Sequence, residues 1–146
     1  MASFSHIEDI KAWDEARAQA VVVIQATSYG EIARDFGLRD QLRRAAISIP
    51  ANIAEGFGRG GAVEFARFLD IARGSAYELD TLLRIAHDAG LLDGVLFMSL
   101  TTTNRSITSK ISGLTSYLRT LRKPSSRKTA NRELRTANHQ TTGGRP

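Results

Sequence analysis

The feature that most constrains the fold is a series near the end of the chain. Phe97, Leu100, Asn104, Ile107, Ile111, Leu114, Leu118 and Leu121 follow one another at alternating steps of three and four. That spacing keeps successive residues on one stripe of an α-helix, whereas a strand would need a period of two. It is the spacing of a coiled-coil-like seam, interrupted only by the polar Asn104. Pro124 ends the series.

Three earlier segments carry the same signature. From about Ile7 to Thr27, the residues Ile10, Trp13, Ala16, Ala20, Val23 and Ile24 fall at helical spacing. Ser5 is positioned to cap this helix, with Glu8 completing a capping box and Asp9 adding favourable charge at the helix start. The run Ala20-Val-Val-Val-Ile24 has strand-like composition, but the apolar positions before it keep a period of 3.6, so it reads as helix. A turn around Ser28, Tyr29 and Gly30 and a short helical stretch toward Gly37 follow. A second helix, about Leu38 to Phe57, buries Leu38, Leu42, Ala45, Ala46, Ile49 and Ile53. The register continues across Pro50, which predicts one kinked helix.

The glycines from Gly56 to Gly61 form a corner between helices. They are not a phosphate-binding loop, because no strand precedes them and no Gly-Lys-Ser/Thr follows. A third helix from about Ala62 to Ala89 carries a broad stripe through Phe65, Phe68, Leu69, Ala72, Ser75, Ala76, Leu79, Leu82, Leu83 and Ala86, and Gly90 stops it. Four amphipathic helices joined by short turns predict an all-α, up-and-down (antiparallel) four-helix bundle over residues 1–122.

With 146 residues the chain suits a single domain. The absence of cysteine removes disulfides, thiolate metal sites and cysteine nucleophiles, and suits a reducing compartment. Met1 to Trp13 carries charges where a signal peptide needs an apolar core, and no run approaches membrane-spanning length, so the expected location is the cytoplasm. The net charge of +5 is unevenly placed. Residues 1–122 hold 14 Lys/Arg and 14 Asp/Glu, while Lys123, Arg127, Lys128, Arg132, Arg135 and Arg145 face only Glu133. Residues 123–146 hold one large apolar residue, Leu134, too little to offset the entropy of ordering them, and are expected to be a disordered basic tail.

The sequence offers no catalytic constellation and no cofactor site. His6, His87 and His139 lie on different elements without metal-binding spacing, and no Glu-x-x-His motif suggests a metal in the bundle. Asn52, Glu55, Ser75 and Glu78 lie beside the buried stripes and are expected to form a structural polar network between the second and third helices, with Arg44 as a partner for Glu78. Arg39, Arg43, Arg44, Arg59, Arg67 and Arg73 crowd the same two helices. They can face phosphates once several subunits are juxtaposed, or pair with the interleaved Asp40, Glu55, Glu64, Asp70, Glu78 and Asp80.

The stretch Gln41-Leu-Arg-Arg-Ala-Ala-Ile-Ser-Ile-Pro-Ala-Asn-Ile-Ala-Glu-Gly-Phe-Gly-Arg59 resembles the signature of the 23S ribosomal RNA intervening-sequence protein family. Glu64-Phe-Ala-Arg-Phe-Leu-Asp-Ile-Ala-Arg-Gly-Ser-Ala-Tyr-Glu-Leu79 is similar to the segment that follows it there, and the likeness extends over about residues 7–121. The resemblance implies an up-and-down four-helix bundle assembled as a homopentamer. Related bundles are accessory proteins of diversity-generating retroelements and contact a reverse transcriptase and nucleic acid. It therefore implies a nucleic-acid-facing role for Arg43, Arg44 and Arg59, which match the motif. Two functions follow as expectations: a non-enzymatic homo-oligomer that binds RNA or a nucleoprotein partner, and a scaffold that joins proteins only. For self-contact the second helix offers Ile47, Ala51 and Ala54 off its main stripe.

Overall fold

The computed structural model describes residues 4–121. Four helices, α1 (Lys11–Ala26), α2 (Phe36–Gly58), α3 (Ala62–Asp88) and α4 (Gly94–Thr120), follow a 3-10 turn at Ile7–Asp9. Each packs on its neighbours in chain order and α1 closes against α4, which makes an up-and-down four-helix bundle. The expected tail, residues 123–146, lies outside the described residues, as does residue 122 of the expected domain.

The first helix begins later than its periodicity suggests. Asp9, not Ser5 with Glu8, organises the start: its carboxylate accepts the backbone N–H groups of Ser5 at 3.2 Å and His6 at 3.0 Å. This closes the 3-10 turn and leaves Ile10 extended, with its side chain fully buried, before α1 starts at Lys11. At the far end of α1, Val23 is buried but Val21, Val22 and Ile24 are exposed, so Ile24 does not join the expected stripe. Within the run Ala20 and Val23, three positions apart, face the core, which is helical rather than strand spacing.

In α2, Asp35 caps the first turn by accepting from the Leu38 N–H at 3.1 Å, which starts the helix two residues before Leu38. The helix runs unbroken through Pro50. It ends at Gly58, and Gly60 takes the left-handed conformation (φ 79°) needed for the short corner into α3. The α3–α4 corner closes in the same way: Gly90 has φ 75°, and the Leu91 N–H donates back to the Ala86 carbonyl at 2.9 Å. Asp93 caps α4, and His87 stacks on Phe97 with centroids 4.4 Å apart.

The core joins all four helices. Alanines at positions 16, 46, 72, 76 and 86 permit close approach, while Ile49, Ile53, Leu69, Leu79, Leu83, Ile107 and Ile111 fill the space between them. On the seam of α4, Leu121 is exposed while Asn104 is buried. Asn104 Nδ2 donates to the Ala76 carbonyl at 2.7 Å and ties α4 to α3. Gln19, which the apolar pattern of α1 gave no reason to single out, is buried too and donates to the Leu100 carbonyl at 3.4 Å.

α2 and α3 come closest at Gly56. A Cβ there would stand 2.6 Å from Phe68 Cβ and 3.2 Å from the Phe65 ring. Gly56→Ala is therefore expected to lower unfolding free energy by about 1–3 kcal/mol despite the better helix propensity of alanine. Gly113→Ala, in an α4 position with open space around it, should gain about 0.5–1 kcal/mol. Urea denaturation of both variants checks the contrast.

Candidate functional site

The polar residues expected between α2 and α3 are only partly brought together. Asn52 Nδ2 donates to the carbonyl and the hydroxyl of Ser48 at 2.8 and 3.0 Å, and the Ser48 and Ser75 hydroxyls lie 2.8 Å apart. The Ser75 hydroxyl also lies 3.3 Å from the Ile71 carbonyl, and either serine can be the donor between the two. Asn52 and Ser75 thus belong to one chain of hydrogen bonds, connected by Ser48. Glu55 and Glu78 stand outside it: Glu55 is exposed and pairs with Arg59 at 2.9 Å, one turn along its own helix. Among the described residues, the buried polar side chains are Gln19, Thr27, Thr101, Asn104 and Thr115, none of them ionisable.

The three arginines of the motif have three different fates. Arg43 points back along the bundle and clasps the end of α1. Its Nε donates to Thr27 Oγ1 at 2.8 Å and its Nη2 to the Ser28 hydroxyl and the Ile24 carbonyl at 3.1 and 3.3 Å. A cation on the carbonyl end of a helix is favoured by the helix dipole and supplies donors that the last turn lacks. Arg59 pairs with Glu55 and lies over the Phe68 ring at 5.3 Å, while Arg67 lies 4.7 Å from that ring and pairs with Glu64. Arg44 is exposed and has no ion-pair partner among the described residues. Arg44 of α2 and Arg59, just past its end, are fifteen positions apart, roughly 22 Å at the helical rise, so the trio does not converge on one phosphate.

The interleaved carboxylates pair with most of their arginines. Arg73 lies 3.8 Å and Arg119 2.6 Å from Asp70, the latter joining α3 to α4; Arg84 pairs with Asp80, and Lys110 of α4 with Glu15 of α1. Most of these side chains are half exposed, where a pair is worth about 0.2–1 kcal/mol. They neutralise the surface more than they hold it together.

The expected pair of Arg44 with Glu78 does not form. The Ser48–Ser75 contact sets the antiparallel register, and Arg44 lies one turn before Ser48 just as Glu78 lies about one turn after Ser75. The two are level across the seam, yet among the described residues neither is in an ion pair. Beside them Ile47 is 46% and Ile71 42% exposed. Ala51 and Gly74 are exposed on the same two helices. The result is an exposed apolar patch with one cation and one anion beside it that lack an ion-pair partner among the described residues.

The family model described as 23S rRNA-intervening sequence protein matches residues 8–113. The chain belongs to this family. The match spans both motif segments, the serine–asparagine chain and the exposed face. Among solved structures, the chain is similar to a protein with unknown function from the S23 ribosomal protein family of Bacteroides thetaiotaomicron. The TM-score is 0.67 at 20% identity, over 72% of this chain and 95% of that one. At that identity the likeness shows the fold. No curated protein matches.

Among the described residues, no group of three or more His, Cys, Asp or Glu side chains could hold a metal ion; His139 lies outside them. No helix among the described residues is long and apolar enough to cross a membrane.

Arg43 is a motif residue with a structural task that the sequence did not signal, because Thr27 and Ser28 are sixteen and fifteen positions away. Arg43→Ala should cost about 1–3 kcal/mol of unfolding free energy by leaving the end of α1 without its charged donor. Arg44→Ala should stay within about 0.5 kcal/mol of the parent. Thermal or urea unfolding of the two single variants separates them.

Proposed function

We propose that this protein is a non-enzymatic bundle that assembles with copies of itself and binds RNA or a nucleoprotein partner such as a reverse transcriptase. The observation that carries self-assembly is the α2–α3 face. Ile47 and Ile71 are half exposed there over small neighbours, and Arg44 and Glu78 are each without an ion-pair partner among the described residues. Contact with another copy would bury the apolar area and give both charges a partner. A five-membered ring needs two different faces on every copy. The outer side of α1, with Val21, Val22 and Ile24 exposed, supplies the second.

Support for the nucleic-acid part comes from the family and from the basic residues beyond Lys123. Arg44 and Arg59 remain available as docking groups at the rim of the face, while Arg43 is occupied by α1. The protein-only scaffold is favoured by a different observation, the pairing of most α3 and α4 arginines with carboxylates.

Light scattering on the full chain is expected to give a mass of five subunits, and Ile47→Asp and Val22→Asp should each lower it. A single-chain mass for the parent, or an unchanged assembly in both variants, overturns the self-assembly. Filter binding should show RNA affinity that falls steeply with salt. An assembled protein with no such affinity selects the scaffold.

A further inference from the structure

A different part of the surface has the chemistry that the α2 arginines lack. Between α3 and α4 lies a cleft of about 330 Å³, at the small end of the range for ligand pockets and in keeping with a single nucleotide. Tyr77 stands at its edge, 62% exposed. Arg105 lines it and is exposed, with no ion-pair partner among the described residues. The one carboxylate in the lining, Asp80, is paired with Arg84 at 2.9 Å, so the uncompensated charge of the cleft is the Arg105 cation. Thr108, Ser109 and Ser112 add hydroxyls along one side.

The fourth element is Asn104. It lines the cleft while only 2% exposed, and its Nδ2 is committed to the Ala76 carbonyl, which leaves Oδ1 without a hydrogen-bond partner among the described residues. A buried acceptor left unpaired is costly and calls for a donor. An aromatic ring for stacking, a free guanidinium and an acceptor short of a donor are what a base, a phosphate and a ribose or base donor group would engage.

We infer that the α3–α4 cleft binds one nucleotide of single-stranded RNA, with the base on Tyr77, the phosphate on Arg105 and a donor of the nucleotide toward Asn104. This rests on the nucleic-acid reading above and moves its centre from α2 to α3–α4. Duplex RNA is excluded as a ligand for the cleft, because its bases are not free to leave the stack.

The test uses the full chain and a labelled ten-nucleotide oligouridylate. Tyr77→Ala is expected to weaken binding about tenfold. Arg105→Ala is expected to weaken it and to reduce the slope of log affinity against log salt by about 0.7. Both residues are exposed, so the variants should fold like the parent. Photocrosslinking of a 4-thiouridine oligonucleotide should label peptides that contain Tyr77 or Arg105. Parent-like binding in both cleft variants, labelling confined to residues 123–146, or duplex RNA bound as tightly as the single strand overturns the cleft while leaving the general reading intact. Absence of salt-dependent RNA binding by the parent overturns both.

Discussion

The close approach of α2 and α3 is the contact on which the rest of the bundle depends. At Gly56 there is no room for even a methyl group against Phe68. Two turns away, the Ser48 and Ser75 hydroxyls bridge the same seam, and Asn52 between Gly56 and Ser48 bonds to Ser48. A steric contact and a polar one at separate points fix both the distance and the register of two antiparallel helices. α3 then meets α4 across Ala76 and Asn104, and Arg43 of α2 holds the end of α1. Each outer helix is thereby placed by a group whose own helix belongs to that central pair.

Charge is spent mainly on structure and on neutralising the surface. Pairs one turn apart, such as Arg59 with Glu55 and Arg84 with Asp80, cancel locally, and longer-range pairs such as Arg119 with Asp70 join neighbouring helices. Among the described residues, Arg44 and Glu78 on the α2–α3 face and Arg105 in the α3–α4 cleft are among the charges left without an ion-pair partner. A bundle neutral in sum can still present distinct binding surfaces, because specificity resides in the few charges without internal partners.

Membership of the 23S rRNA-intervening sequence protein family accounts for the conjunction of motif and fold. Much of that motif does structural work: Arg43 anchors α1, Ser48 crosses the seam to Ser75 and is braced by Asn52, and Gly56 permits the close approach. A motif made largely of packing residues defines an architecture more sharply than an activity, since function lies in sites placed on the fold.

The sequence by itself determined the four helices, their order, nearly all of the core and the two glycine corners, because a period of 3.6 and the backbone freedom of glycine are local properties of the chain. It misplaced what depends on distant atoms. The start of α1 turned on an Asp9 carboxylate reaching back to two N–H groups, and Ile24 proved exposed because the bundle takes only Ala20 and Val23 from that run into its core. Gln19 went unnoticed because a buried amide is legible only from the carbonyl opposite it. Of the four polar residues expected to form a network, Asn52 and Ser75 entered one through Ser48, whereas Glu55 turned to Arg59 and Glu78 to solvent. Only tertiary structure decided which arginines were occupied and where a cleft opened, since pairing across helices depends on register and rotation that no spacing within a single helix encodes.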